Sequence, residues 1–225
     1  MKQAAVDTEA RLRTPRSAAL AGILFSVLIL ISLVLIRISV PQDPLDSGSW
    51  LAENSKTVAF ALNLVPFAGI AFLWFIAVIR DRLGEYEDRF FATVFLGSGL
   101  LFLAMMFFSA ATAGSLLNLY QASLESSMDP GIYNYARITV YQIMNVYTVK
   151  MAGVFMLTTC TLALRTGIFK RWMAILGIAL ALLLLLSVGF LYWILLVFPL
   201  WVLLISIHIL LVNLKGSEGE FPETA

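Results

Sequence analysis

One formal charge, Lys150, stands deep within an apolar stretch, and any chemistry in this chain is to be sought around it. Counting back from Arg165 at about 1.5 Å per residue places Lys150 about 22 Å from the boundary that Arg165 marks. An ionisable group at that depth is costly unless it has a partner, which points to a ligand, an ion or a lipid headgroup. The alternative is a four-carbon stem reaching the nearer headgroups, a distance of about 8 Å. On the same stretch, Gln142, Asn145, Ala152, Gly153, Met156 and Cys160 fall on one stripe at the helical period. Small and hydrogen-bonding residues on one face of a membrane helix favour close contact with another helix. Thr148 and Lys150 flank this stripe on opposite sides, so Thr148 is left out of the site. Asn63 lies three residues before Pro66, which frees a backbone carbonyl and kinks its helix. Ser109 and Thr112 belong to the small-residue run Ser109 to Ser115 and reach a comparable depth. The sequence therefore predicts a polar cavity in the outer half of a helix bundle, lined by Lys150, Asn145, Gln142, Asn63, Ser109 and Thr112. Scattered interhelical hydrogen bonds are the plain alternative for the same residues.

Much chemistry is excluded by residue counts. The single histidine, His208, cannot form a bis-His haem site, a zinc helix or a di-iron bundle. Near the end of its span it reads as an interfacial or hydrogen-bonded residue. The single cysteine, Cys160, rules out an intramolecular disulfide framework and a Cys-rich metal site. No Asp or Glu lies inside an apolar span, which argues against proton-coupled transport and against paired-acid hydrolysis. Neither a Walker loop nor a dinucleotide glycine fingerprint occurs. No metal, no cofactor and no catalytic set is expected.

The elements that must position these residues are membrane helices. Of the 225 residues, 60% are hydrophobic and 13% charged, too few charges to cover a water-facing surface. A bilayer core of about 30 Å needs about 20 apolar residues per helix. Six spans meet or approach that length, at about 17–38, 57–79, 90–117, 139–164, 172–186 and 190–214. The last two come from one long run divided at Ser187-Val188-Gly189, which leaves the fifth span short. The expected fold is an all-α bundle of six transmembrane helices. Lys and Arg mark the cytoplasmic side of such a bundle. With the N-terminus inside, Lys2, Arg11, Arg13, Arg16, Arg80, Arg82, Arg89, Arg165, Lys170, Arg171 and Lys215 fall inside, eleven in all, against three outside, Arg37, Lys56 and Arg137. Both termini are thus expected in the cytoplasm. Span one exceeds a signal-peptide core and lacks a small-residue cleavage site, so it reads as an uncleaved anchor.

Outside 17–214, the basic segment 1–16 suits anionic headgroups and is expected to be mobile. The acidic tail 215–225 is expected to be disordered. Pro130-Gly131 reads as a turn between spans three and four. The loop Arg80-Asp81-Arg82-Leu83-Gly84-Glu85-Tyr86-Glu87-Asp88-Arg89 reads as a charged hairpin that fixes topology, with a docking site for a cytoplasmic partner as the sharper alternative. Together with the apolar flanks from Phe67 and to Phe91, this stretch resembles a family of uncharacterised bacterial multi-pass membrane proteins. The resemblance covers 25 of the 225 residues; it implies a bacterial inner membrane and brings no activity with it. Net charge is +1 without a basic run, so nucleic acid is not an expected partner. The expected partners are the lipid bilayer and other membrane subunits or further copies of the chain. Two roles fit. One is a non-catalytic accessory or assembly subunit or scaffold, which asks for nothing the sequence lacks. The other is a small transporter, channel, or lipid- or small-molecule-binding protein that uses the outer cavity.

Overall fold

A computed structural model describes residues 2–41, 46, 48–83, 89–122, 129–167, 170–187 and 193–218, for residues 2–16, 18, 81–83, 89 and 213–218 the backbone alone. Among the described residues all regular structure is helical, and there is no strand. The helices are α1 (Lys2–Ser39), α2 (Trp50–Leu83), α3 (Arg89–Ala122), α4 (Pro130–Gln142), α5 (Val149–Thr166), α6 (Arg171–Leu186) and α7 (Val197–Glu218). A π-helical segment, Ile143–Thr148, joins α4 and α5 into one rod, and a 3₁₀ turn, Ile194–Leu196, leads into α7. The bundle therefore has six rods, and five are long and apolar enough to cross a membrane. The sixth, α6, is as apolar but has 16 residues. This is a membrane protein built as a helical bundle.

The helices overrun the apolar spans. A span measures hydrocarbon thickness, whereas a helix continues until its backbone is stopped. Pro130-Gly131 opens α4 and is not a turn. Pro130 occupies the first turn, where its missing N–H costs nothing, and the Asp129 carboxylate accepts a hydrogen bond from Gly131 N at 2.6 Å. Gly167 closes α5 in the left-handed region at φ 70°. Pro66 sits within α2 without ending it. The segment 2–16, expected to be mobile, has helical backbone as the start of α1. The charged loop falls largely on residues 84–88, and most of the tail on 219–225, both outside the described residues.

Helix α1 packs between α2 and α7, α5 packs between α3 and α6, and α2 meets α3. Ser32 Oγ donates to Ala61 O at 2.8 Å and Asn54 Nδ2 to Ser39 O at 3.2 Å, so α1 and α2 are antiparallel. Gly22 sits against Ser206, and Phe25 lies 6.0 Å from Phe198, so α7 runs back beside α1. The start of α1 and the end of α7 thus share one end of the bundle. The α1–α2 and α3–α4 connections share the other, hereafter the loop end.

The middle is filled by aromatic rings. Phe25, Phe72, Phe102, Phe155 and Phe198 are buried, and their centroids lie 4.7 to 6.3 Å apart in tilted and edge-on pairs. Around this plug the helices close on glycines. A Cβ on Gly177 would lie 2.6 Å from Trp201 Nε1, and one on Gly153 would lie 3.2 Å from Ala181 O. The small residues of α5 that the stripe singled out, Ala152, Gly153, Met156 and Cys160, are all buried.

Candidate functional site: a loop-end cavity

Lys150 leaves α5 toward α6 and ends on the backbone. Its Nζ donates to Ser187 O at 2.6 Å, to Leu184 O at 3.3 Å and to Leu185 O. These carbonyls belong to the end of α6, where Ser187 leaves the helical conformation at ψ 134°. With its 16 residues α6 rises about 24 Å and stops within the bundle. Inside a membrane, orphan carbonyls must find donors within the protein. All three ammonium hydrogens find acceptors here, and the cation stands at the negative end of the helix dipole. Lys150 is a C-cap delivered by a neighbouring helix.

The same short hairpin of α6 and α7 leaves a space. From the level of Lys150, α4 continues to Arg137, thirteen residues or about 20 Å beyond. Over that length α1, α2, α3 and α4 line a partly open cavity of about 280 Å³ whose floor carries Trp193, Leu195 and Leu196. For comparison, an engineered apolar cavity of about 150 Å³ already holds benzene. The walls are mainly aliphatic, among them Ile29, Leu33, Val65, Met106 and Ala110. Ser32, Ser109 and Asn145 add isolated polar atoms. Beneath it a void of about 20 Å³ continues toward the aromatic plug, sharing Ile29, Leu33, Met106, Met144 and Leu195 as walls.

The loop end of the cavity is tied by hydrogen bonds. Arg137 Nη1 donates to Tyr133 Oη at 2.7 Å, and Nη2 donates to Pro41 O at 2.6 Å. The guanidinium also lies 3.7 Å from Asp46 Oδ1, which accepts from Gly48 N at 2.7 Å. Trp50 Nε1 donates to the same Tyr133 hydroxyl at 3.0 Å. Gly48 has φ 84°, and a Cβ there would stand 3.2 Å from the Tyr133 ring, so glycine alone suits this turn. On the opposite wall Arg37 extends over the indole of Trp193, 5.6 Å from the ring centroid, with its Nε and Nη2 enclosed by protein.

No family model, no curated protein and no solved structure matches this chain. The site is read from its own geometry.

Of the six residues expected to line a polar cavity, Ser109 and Asn145 lie on its wall. Ser109 is 3% exposed, and Asn145 spends an amide hydrogen on Tyr141 O at 3.0 Å. Thr112 is half-buried on α3, where its hydroxyl donates to Phe108 O at 2.9 Å, and is not part of the wall. Gln142 and Asn63 are exposed on the outside of the bundle. Lys150 is taken up by α6. A cavity is present at the loop end, and apolar side chains make up most of its wall. Phase explains Gln142. The π segment inserts one residue into the rod, which offsets everything before it by about 100° from a stripe drawn through α5. Thr148, set aside on the sequence, is buried in that segment and donates back to Ile143 O at 2.9 Å. Arg37, Arg137 and Trp193 were not among the candidates. A signal existed: both arginines are exceptions to the charge asymmetry, on the side otherwise poor in Lys and Arg.

Proposed function

We propose that this chain is a non-catalytic membrane protein that binds an apolar or amphiphilic small molecule, such as a lipid, in the loop-end cavity. The observation that carries the reading is a cavity of about 280 Å³ with aliphatic walls in a bundle otherwise closed on glycines and aromatic rings. Binding sites for small molecules are typically concave, mostly apolar and few per protein. Binding is favoured over conduction because Phe25, Phe72, Phe102 and Phe198 fill the path below. Catalysis is disfavoured by residue inventory, with one histidine, one cysteine and no acid inside a span. On this reading, which the charge asymmetry supports, both termini are cytoplasmic and the cavity opens in the outer leaflet, in a bacterial inner membrane if the resemblance of residues 67–91 is followed.

A second reading, an accessory or assembly subunit, has support in α3. Gly97, Ala104 and Ala111 recur every seven residues on a face left open, and a Cβ on Gly97 would meet nothing within 4 Å. Small residues at such spacing let another helix approach closely. One experiment separates the two. The protein is extracted from its own membranes in mild detergent and weighed intact. A bound lipid or small molecule, lost when Ala110→Trp fills the cavity, supports the first reading. Stoichiometric co-migration of other chains, with no small molecule retained, would replace it by the second.

A further inference from the structure

Resting on the binding reading above, we propose that the occupant is one acyl chain of a bilayer lipid, which enters sideways through a window between α1 and α4. Arg80 near the end of α2 and Arg165 near the end of α5 are exposed and mark one face of the membrane. A hydrocarbon core of about 30 Å equals about 20 helical residues, so it ends near Phe60 on α2 and near Asn145 in the π segment. Beyond that level α2 continues to Trp50, about 15 Å, and α4 to Pro130, about 22 Å. The outer surface changes at the same height. Below it α1 and α2 expose Leu24, Val27, Phe67 and Trp74, whereas beyond it Glu53, Lys56, Asn118 and Asn134 are exposed. The loop end thus stands out of the hydrocarbon. The cavity straddles the boundary, from Val65 and Met106 below it to Leu116 and Arg137 beyond it.

Helix α1 packs on α2 and α7, and α4 packs on α3 and the π segment, so helix packing does not close the wall between α1 and α4. The 3₁₀ turn touches both α1 and the π segment and forms the lower edge of this gap. At its upper edge the bond from Arg137 Nη2 to Pro41 O joins α4 to the end of α1. Among the described residues that line the cavity, the exposed ones are Pro41, Ile138, Tyr141 and Trp193, and all four stand on this frame. Val58, Val65, Met106 and Leu116 on the walls behind are buried. The cavity therefore opens on this side, at the level where a lipid's chains meet its head. Trp and Tyr are the residue types that settle at that level. Size selects a single chain. A cavity of about 150 Å³ holds benzene, so one of about 280 Å³ holds roughly twice as many carbons, a dozen or so. A headgroup would find few polar partners on the aliphatic wall, so it stays at the rim with the second chain in the bilayer.

The test uses the full chain in phosphatidylcholine vesicles doped with a phosphatidylcholine that carries a diazirine at the end of one chain. Photolysis followed by peptide mass spectrometry locates the adducts. They are expected on the buried wall, at Val58, Val65 or Leu116, besides those on the lipid-facing Phe67 and Trp74. In a Cys160→Ser background, Ile138→Cys is alkylated with a bulky maleimide after folding, which obstructs the window. Wall adducts are then expected to fall to the level seen when Ala110→Trp fills the cavity, with those at Phe67 and Trp74 unchanged. Ala110→Leu replaces Ala110→Trp if the larger residue prevents folding. Wall adducts that survive the obstructed window but are lost on filling the cavity overturn lateral entry and spare the cavity reading. A wall that the vesicle lipid does not label, but that a diazirine fatty acid added from water does, overturns the bilayer lipid as occupant and again spares the cavity. Wall adducts from neither probe, or adducts that filling the cavity leaves intact, overturn both.

Discussion

Replacing Lys150 with Met should destabilise the end of α6 without touching the cavity. The side chains are similar in length, so the change is chiefly loss of the ammonium. Leu184 O keeps a donor, because the Ser187 hydroxyl reaches it at 2.9 Å. Leu185 O and Ser187 O lose the only side-chain donor seen on them among the described residues. A buried acceptor left unpaired costs about 1–3 kcal/mol, so two cost about 2–6 kcal/mol. Against this, the native state no longer carries an ammonium at depth, a burden of about 2.5–3.5 kcal/mol on insertion scales for a helix centre and less nearer the interface. The difference of the midpoints is a net loss of about 1 kcal/mol, more where the ammonium burden is lighter, concentrated in the last turn of α6. Unfolding in mixed micelles, with denaturing detergent as titrant, reads the global part. Hydrogen exchange of amides near Leu186 and Ser187 reads the local part and should quicken. Lys150→Arg, which keeps the charge and the donors, should lose less. If Lys150→Met matches wild type in stability and exchange yet abolishes ligand binding, the capping role is refuted and Lys150 belongs to the site.

Three further outcomes are expected. Gly177→Ala forces a methyl group to within 2.6 Å of Trp201 Nε1 and nearer still to Cys160 Sγ, so the same titration should show a loss of about 1–3 kcal/mol from overpacking. Arg137→Ala removes charge-assisted bonds to Tyr133 and Pro41 and should cost about 1.5–3 kcal/mol, with faster hydrogen exchange around Gly48 to Leu51 as the local sign. In a Cys160→Ser background, an impermeant maleimide added to intact cells should label Glu53→Cys and should reach Arg80→Cys only after permeabilisation, both positions being exposed; the opposite pattern would invert the topology.

The fold was legible because a bilayer imposes its length on every crossing. Runs of apolar residues, counted against that length, mark six rods, and Ser187 divides the last two where α6 ends. The site was less legible, for two reasons. Depth along a helix can be counted from its ends, but azimuth cannot be counted through a π segment, which is why Asn145 reaches the wall and Gln142 does not. A polar residue at depth is also ambiguous, since it can face a ligand or mend the backbone. Lys150 mends the backbone, and its role becomes visible once α6 lies beside α5. Arg37 and Arg137 were legible as exceptions to charge asymmetry, but one-dimensional sequence does not show that both turn inward.

Lys150 and the cavity have a common origin in the brevity of α6. A full-length hairpin of α6 and α7 would run on to the loop end, cover its own carbonyls with another turn, and fill the space between α1 and α4. A hairpin that stops early leaves carbonyls without donors at one level and volume without side chains above it. The first defect needs a cation from a neighbouring helix, and α5 supplies Lys150. The second is a destabilising void if left empty, since its lining atoms lose contacts on one side. On the binding reading proposed above, a bundle that keeps both defects is organised around what fills the void. On that reading the costly lysine within the apolar span supports the site from one level below it, and is not the site itself.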